Sequence, residues 1–183
     1  NNPAPAVFEM YRLVNQTTGG TISVQNSIGF VVRYDTLLVT SMSITGYVGG
    51  QYGYLFNNSI AGNVTIADDA GYGGGYSTVI RNNIITGNSS FSINGFNTFQ
   101  EGDAAAAANI YNGNVTFNGN SAASLYISHI DALQCSGNLT ITRSAAGFTQ
   151  AFNAGAAING NFSYTNNTTG GTFFGNPANK TSI

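Results

Sequence analysis

The chain has 183 residues, 42% of them hydrophobic, which is enough for one domain with a real core. Five basic and seven acidic residues leave a net charge of −2; Asn, Thr, Ser and Gly must therefore keep the exterior wet, which suits an extracellular setting, and no basic run exists to neutralise phosphates, which argues against nucleic acid. The single cysteine, Cys135, excludes an internal disulfide framework, and no apolar run approaches the ~18–20 residues of a membrane span.

From the N-terminus, NNPAPAVFEM lacks the basic and apolar regions of a signal peptide, so any export signal is expected to be removed or to lie outside these residues. Ile22-Ser23-Val24 and Met42-Ser43-Ile44 are short apolar-hydroxyl-apolar triplets, and IGFVVRYDTLLV (28–39) reads as a strand rich in β-branched and aromatic residues. Tyrosine and glycine then crowd GYVGGQYGYLF (46–56) and GYGGGY (71–76). From residue 57 onward one pattern dominates: GNVTI (62–66), GNSSF (87–91), GNVTF (113–117), GNLTI (137–141) and GNFSY (160–164). Its glycines are 25, 26, 24 and 23 residues apart, a period that signals a solenoid. The earlier triplets continue it at shorter spacings of 22 and 20. YSTVI (76–80), SLYISHI (124–130) and GFTQAF (147–152) are further strands, whereas the alanines 104–108 read as small residues packed at a sharp turn.

These spacings predict an all-β fold: a right-handed parallel β-helix (β-solenoid) of about seven coils of roughly 20–26 residues, three short strands per coil. Residues 1–56 form divergent N-terminal coils or a cap, and 57–183 the regular repeats. Ile183 matches Ile158, two residues before Gly160, so the array is expected to continue beyond the chain end. Stacking puts equivalent residues about 4.8 Å apart. The inward columns are then Val64, Ser89, Val115, Leu139, Phe162 and Ile66, Phe91, Phe117, Ile141, Tyr164, with Ile60, Ile85, Tyr111, Cys135, Ile158 and Ile183 in a third. Thr65, Ser90, Thr116, Thr140 and Ser163 point outward. In this reading glycine supplies a corner whose backbone a side chain would forbid. Asn63, Asn88, Asn114, Asn138 and Asn161 form a structural ladder of hydrogen bonds from coil to coil. The same asparagines, with Asn15, Asn57, Asn166, Asn167 and Asn179, satisfy N-x-Ser/Thr, but the repeat accounts for the five without glycans.

The chemistry-bearing residues are sparse. Enzymes on parallel β-helices cluster carboxylates or hold calcium; here Glu9, Asp35, Asp68, Asp69, Glu101, Asp103 and Asp131 are scattered. Counting back six residues from each Gly puts Arg81 and Asp131 in one column two coils apart, and loop excursions could bring Asp68 or Asp69 to Glu101 or Asp103. His129, the one histidine, has Ser128 on the opposite face of a strand, and Cys135 fits an apolar column, so neither a triad nor a metal set converges and no cofactor is implied. The outward hydroxyl column, single and unevenly spaced, is a poor template for ice. Tyr47, Tyr52, Tyr54, Tyr72 and Tyr76 are the candidates for glycan contact, with capping of the core edge as the plainer account.

The alternation NGNVTFNGN, SGNLTITRSAAG and INGNFSYTNNTTGGTFFGN resembles the Asn/Gly/Thr-rich repeat arrays of large secreted or cell-surface proteins of Bacteroidota. The resemblance covers about residues 57–183, brings no catalytic residues, and implies surface adhesins or filaments exported by the type IX route. The expectation is a non-enzymatic segment of an extracellular bacterial adhesin, stalk or surface filament. Its partners would be neighbouring coils, like subunits or surface glycans. The alternative is a polysaccharide-active or glycan-binding β-helix module.

Overall fold

A computed structural model describes residues 6–15, 18–47, 52–70, 77–95, 98–102, 108–175 and 181–182. The Tyr72, Tyr76, Asp103 and Ile183 assignments, and most of the alanine run, lie outside the described residues. Among these the chain is all β: 23 strands in three parallel sheets of eight, eight and seven strands. Each coil contributes one strand to each sheet in turn, which makes seven full coils and the start of an eighth. The third coil is representative, with strands Gly53–Phe56, Ser59–Ile60 and Asn63–Asp68. The fold is a parallel β-solenoid.

Register follows the hydrophobic columns. Val64 pairs with Ser89, Ser89 with Val115, Val115 with Leu139 and Leu139 with Phe162. Ile60, Ile85, Tyr111, Cys135 and Ile158 line up in the second sheet. The early triplets share this stack, Ile22 opposite Met42 and Met42 opposite Val64. Inside, rings meet rings along the axis: Phe91 stacks on Phe117 with centroids 5.2 Å apart and lies 5.6 Å from Phe99. Slipping a strand by one residue would turn its whole apolar set outward, so burial fixes the register.

Three details differ from the sequence reading. The run 28–39 is two strands, Gly29–Arg33 and Thr36–Leu37, because Tyr34 takes a left-handed backbone (φ 61°) and turns the corner. Likewise the strand proposed at 124–130 covers only Leu125–Ile127, and Ser128 (φ 53°) begins the turn. The same left-handed corner follows the first-sheet strand of every coil, at Arg12, Tyr34, Asn57, Asn82, Gly102, Ser128, Phe152 and Gly175. The Gly-Asn corner, by contrast, has no left-handed residue. Its glycines are required by contact: a Cβ on Gly113 would lie 2.5 Å from the Gly87 carbonyl oxygen, and one on Gly160 2.5 Å from that of Gly137. Glycine here lets backbones stack closely and has nothing to do with φ.

Candidate functional site

The Gly-Asn asparagines sit on an exposed edge. The backbone N–H of Asn88 donates to Asn63 Oδ1 (2.8 Å), Asn114 to Asn88 (2.9 Å), Asn138 to Asn114 (2.9 Å) and Asn161 to Asn138 (2.8 Å). Each amide oxygen thus reaches forward to the next coil.

A second ladder, which the sequence reading missed, lies buried beside the left-handed corner. Asp35 N–H donates to Asn58 Oδ1 (3.0 Å), Asn58 N–H to Asn83 Oδ1 (3.0 Å) and Asn83 N–H to Asn109 Oδ1 (2.9 Å). The side-chain amides run the same way, Asn58 Nδ2 to Asn83 Oδ1 and Asn83 Nδ2 to Asn109 Oδ1, both 2.9 Å. They also donate to strand carbonyls beside the turn: Asn58 to Val32 (3.0 Å), Asn83 to Leu55 (2.8 Å) and Asn109 to Ile80 (3.0 Å). Carboxyl groups close both ends. Asp35 Oδ1 accepts from Leu13 N–H at 2.5 Å, and Glu101 accepts from Asn109 Nδ2 at 2.7 Å and from Ser128 N–H at 2.7 Å. The signal was present in the sequence: Asn58, Asn83 and Asn109 each stand four residues before a Gly-Asn glycine.

Glu101 faces inward opposite Ile80 and is wholly buried. Burial, opposed by the bonds from Ser128 and Asn109, pushes its carboxyl up to about 7, and the nearby Asp131 adds to the rise. Such a value would suit a general acid, but a side chain with no exposed surface cannot touch a polysaccharide. Asp68 is also buried, accepts from the Asn94 N–H, and is raised by burial to about 6. Burial raises Asp35 as well. Asp68 ends a third-sheet strand and Glu101 a first-sheet strand, so the two stand at different corners and form no pair; Asp69 is exposed. Arg81 and Asp131 do not share a column either. Arg81 stacks on Phe56 at the end of its strand, whereas Asp131 lies inside the longer corner between Ile127 and Leu133, whose extra residues spoil the count from glycine.

Ser128 has no exposed surface, and its hydroxyl shares its single proton between the carbonyls of Asp131 and Gly155 while accepting from Leu133 N–H at 3.2 Å. It serves the corner. His129 packs its ring 4.9 Å from that of Tyr126. Cys135 is buried, which pushes its thiol up. No group of three His, Cys, Asp or Glu side chains is placed to hold a metal among the described residues. Arg143 is a buried cation: its Nη2 donates to the carbonyls of Ser121 (3.1 Å) and Ala123 (3.0 Å), and its guanidinium fills space left by Gly119 and Gly147. Burial lowers its pKa.

The tyrosine candidates divide. Tyr47 is 2% exposed, its ring edge-on to Phe30 at 5.2 Å and its hydroxyl 2.7 Å from Thr78 Oγ1. It is a core residue and presents no face to a glycan. Tyr52 and Tyr54 lie on the outer surface, stacked 5.0 Å apart, and Tyr54 stacks in turn on Phe56 at 4.6 Å. Beside them runs a column invisible in the linear sequence: Tyr11 pairs with Arg33, Arg33 with Phe56 and Phe56 with Arg81. The Arg81 guanidinium lies 4.0 Å over Phe56, and those of Arg12 and Arg33 lie 4.8 and 4.9 Å over Tyr11. Three of the five basic residues therefore gather on one aromatic face. Arg33, Tyr34, Tyr54, Phe56 and Arg81 line a shallow open groove there.

No family model, curated protein or solved structure matches the chain.

Proposed function

We propose that this chain is a rigid structural segment of an extracellular bacterial adhesin, stalk or surface filament, and that it is not an enzyme. One observation carries the reading: uninterrupted parallel pairing in all three sheets, from Val7–Tyr11 to Thr172–Phe174 in the first. Seven inter-strand steps give a stack about 34 Å long. A hydrogen-bonded column of this kind resists bending because every coil is tied to its neighbours along the axis. The buried carboxyls support the reading, since Asp35 and Glu101 are spent on closing a ladder. The sparse charge and the hydroxyl- and amide-rich exterior fit a protein that works outside the cell.

The test is localisation together with turnover. Antibody raised against the purified chain should label intact producing cells, and the chain should release no reducing ends from neutral or acidic polysaccharides. Labelling only after lysis would overturn the surface assignment. Sustained release of reducing ends would overturn the structural one.

A further inference from the structure

We infer that the groove between Arg33 and Arg81 is a binding site for an anionic polysaccharide, whose sugar rings pack on the exposed ring of Tyr34 while its acid groups meet the two guanidiniums. The inference goes beyond the rod reading and does not depend on it.

Four observations lead to it. First, exposure: Tyr11 (50%), Tyr34 (52%) and Tyr52 (44%) offer ring surface to solvent on the face that carries the arginines. An amphipathic ring of this kind suits the apolar face of a pyranose, with its hydroxyl left in water. Second, spacing: Arg33 and Arg81 flank Phe56 in one column, so they stand two coils, about 9.6 Å, apart along the axis, the span of a disaccharide. Third, pre-organisation: the Arg81 guanidinium lies 4.0 Å over the Phe56 ring and that of Arg33 4.9 Å over Tyr11, so both are positioned before a ligand arrives. Fourth, charge: the whole chain is net negative, yet this corner concentrates three arginines. The nearest carboxyl on the same strand as Tyr11 is Glu9, and Asp35 beneath is buried.

Single-stranded nucleic acid also uses cations and aromatic platforms. It is disfavoured here because three arginines neutralise little of a phosphate chain and the rest of the surface carries almost no positive charge. A carboxylated sugar chain asks for fewer, more widely spaced cations, each able to take a bidentate acid group.

The test uses the whole chain and its own fluorescence, which comes from tyrosine because the protein has no tryptophan. Oligogalacturonate, a sulfated oligosaccharide, a neutral cello-oligosaccharide and a single-stranded oligonucleotide would be titrated by calorimetry and by tyrosine emission. Binding of either acidic sugar in preference to the neutral one supports the site, and the better of the two identifies the acid group. Arg33→Gln should weaken it roughly tenfold and Arg81→Gln similarly, whereas Arg33→Lys should lose less. Tyr34→Asn, which suits the left-handed backbone there, should cost about three- to tenfold. Arg33 is exposed, so its variant should keep the wild-type circular dichroism and melting curve, and Gln150→Ala on a distant part of the same sheet should bind normally. Equal affinity for neutral and acidic sugars, tighter binding of the oligonucleotide, absence of binding to all four, or acidic binding unchanged by Arg33→Gln and Tyr34→Asn would each overturn the proposal. None of these outcomes bears on surface labelling or on the release of reducing ends, so the rod reading stands or falls separately.

Discussion

The two asparagine ladders use one residue type for opposite ends. Along the exposed edge, Asn63, Asn88, Asn114 and Asn138 each take one backbone N–H from the following coil, and water competes for every bond. Along the buried corner, Asn83 and Asn109 each take a backbone N–H and a side-chain amide from the preceding coil, Asn58 takes the backbone N–H of Asp35, and all three give their own amide to a carbonyl and to the next rung or to Glu101. The directions are opposed, and only the buried ladder ends on carboxyls. In a medium from which water is excluded an unpaired amide is costly and a full chain of bonds is mutually reinforcing. The comparison teaches that an asparagine repeat can be visible and cheap while a neighbouring one is hidden and expensive.

The largest effect is expected from breaking the middle of the buried ladder. Asn83→Ala leaves the Asn58 N–H without its acceptor, removes one of the two acceptors of the Asn58 amide, and takes a donor from the Leu55 and Arg81 carbonyls. Urea unfolding should show a loss of about 3 kcal/mol or more; a loss below about 1 kcal/mol would mean that water repairs the gap.

Next is the charge that closes that ladder. The folded Glu101 carboxyl, at about 7 against an ordinary 4.5, holds a proton that the unfolded chain releases. The stability it contributes is therefore complete below about pH 4.5, declines as pH rises toward 7 and is level above, a change on the order of 3 kcal/mol. Asp68, raised to about 6 from 3.8, adds a decline of the same sign at lower pH. Unfolding curves between pH 4 and 8 should fall with pH, and Glu101→Gln should flatten the upper part of the slope. A rise in stability over that range would contradict the burial of both groups.

On the exposed side the backbone matters more than the amide. Gly113→Ala forces a methyl against the Gly87 carbonyl and should cost about 2 kcal/mol, because backbone rather than a flexible side chain must yield. Asn114→Ala, one residue on, removes an acceptor that water can replace and should cost about 0.5 kcal/mol. Thermal melts of the pair would sharpen the contrast; a costlier Asn114→Ala would place the exposed ladder on a par with the buried one.

What was legible in the sequence follows the same division. The Gly-Asn corner could be read because close backbone contact admits only glycine, so Gly87, Gly113 and Gly137 recur and set the count for the columns between Val64 and Phe162. The left-handed corner could not, because the chain fills it with Arg12, Tyr34, Asn82 and Phe152 as readily as with Gly102, and a position that accepts such different side chains leaves no pattern. The arginine face was hidden for a related reason. Arg33 lies in the third of the chain without Gly-Asn, so nothing in the linear order aligned it with Phe56 and Arg81. Asn58, Asn83 and Asn109 kept their fixed place before each glycine, but in a chain so rich in asparagine the coincidence did not stand out.

The corners also differ in how many residues they hold. Two residues, Asn82 and Asn83, join Arg81 to Ile84, while five join Ile127 to Leu133 and five more, 144–148, join Arg143 to Thr149, yet the strands on either side keep their pairing. Insertions and deletions at these bends are thus absorbed locally, and new surface can be spliced in without disturbing the neighbours. A foreign epitope placed between Ser144 and Phe148 would ride on a scaffold that never loses its count.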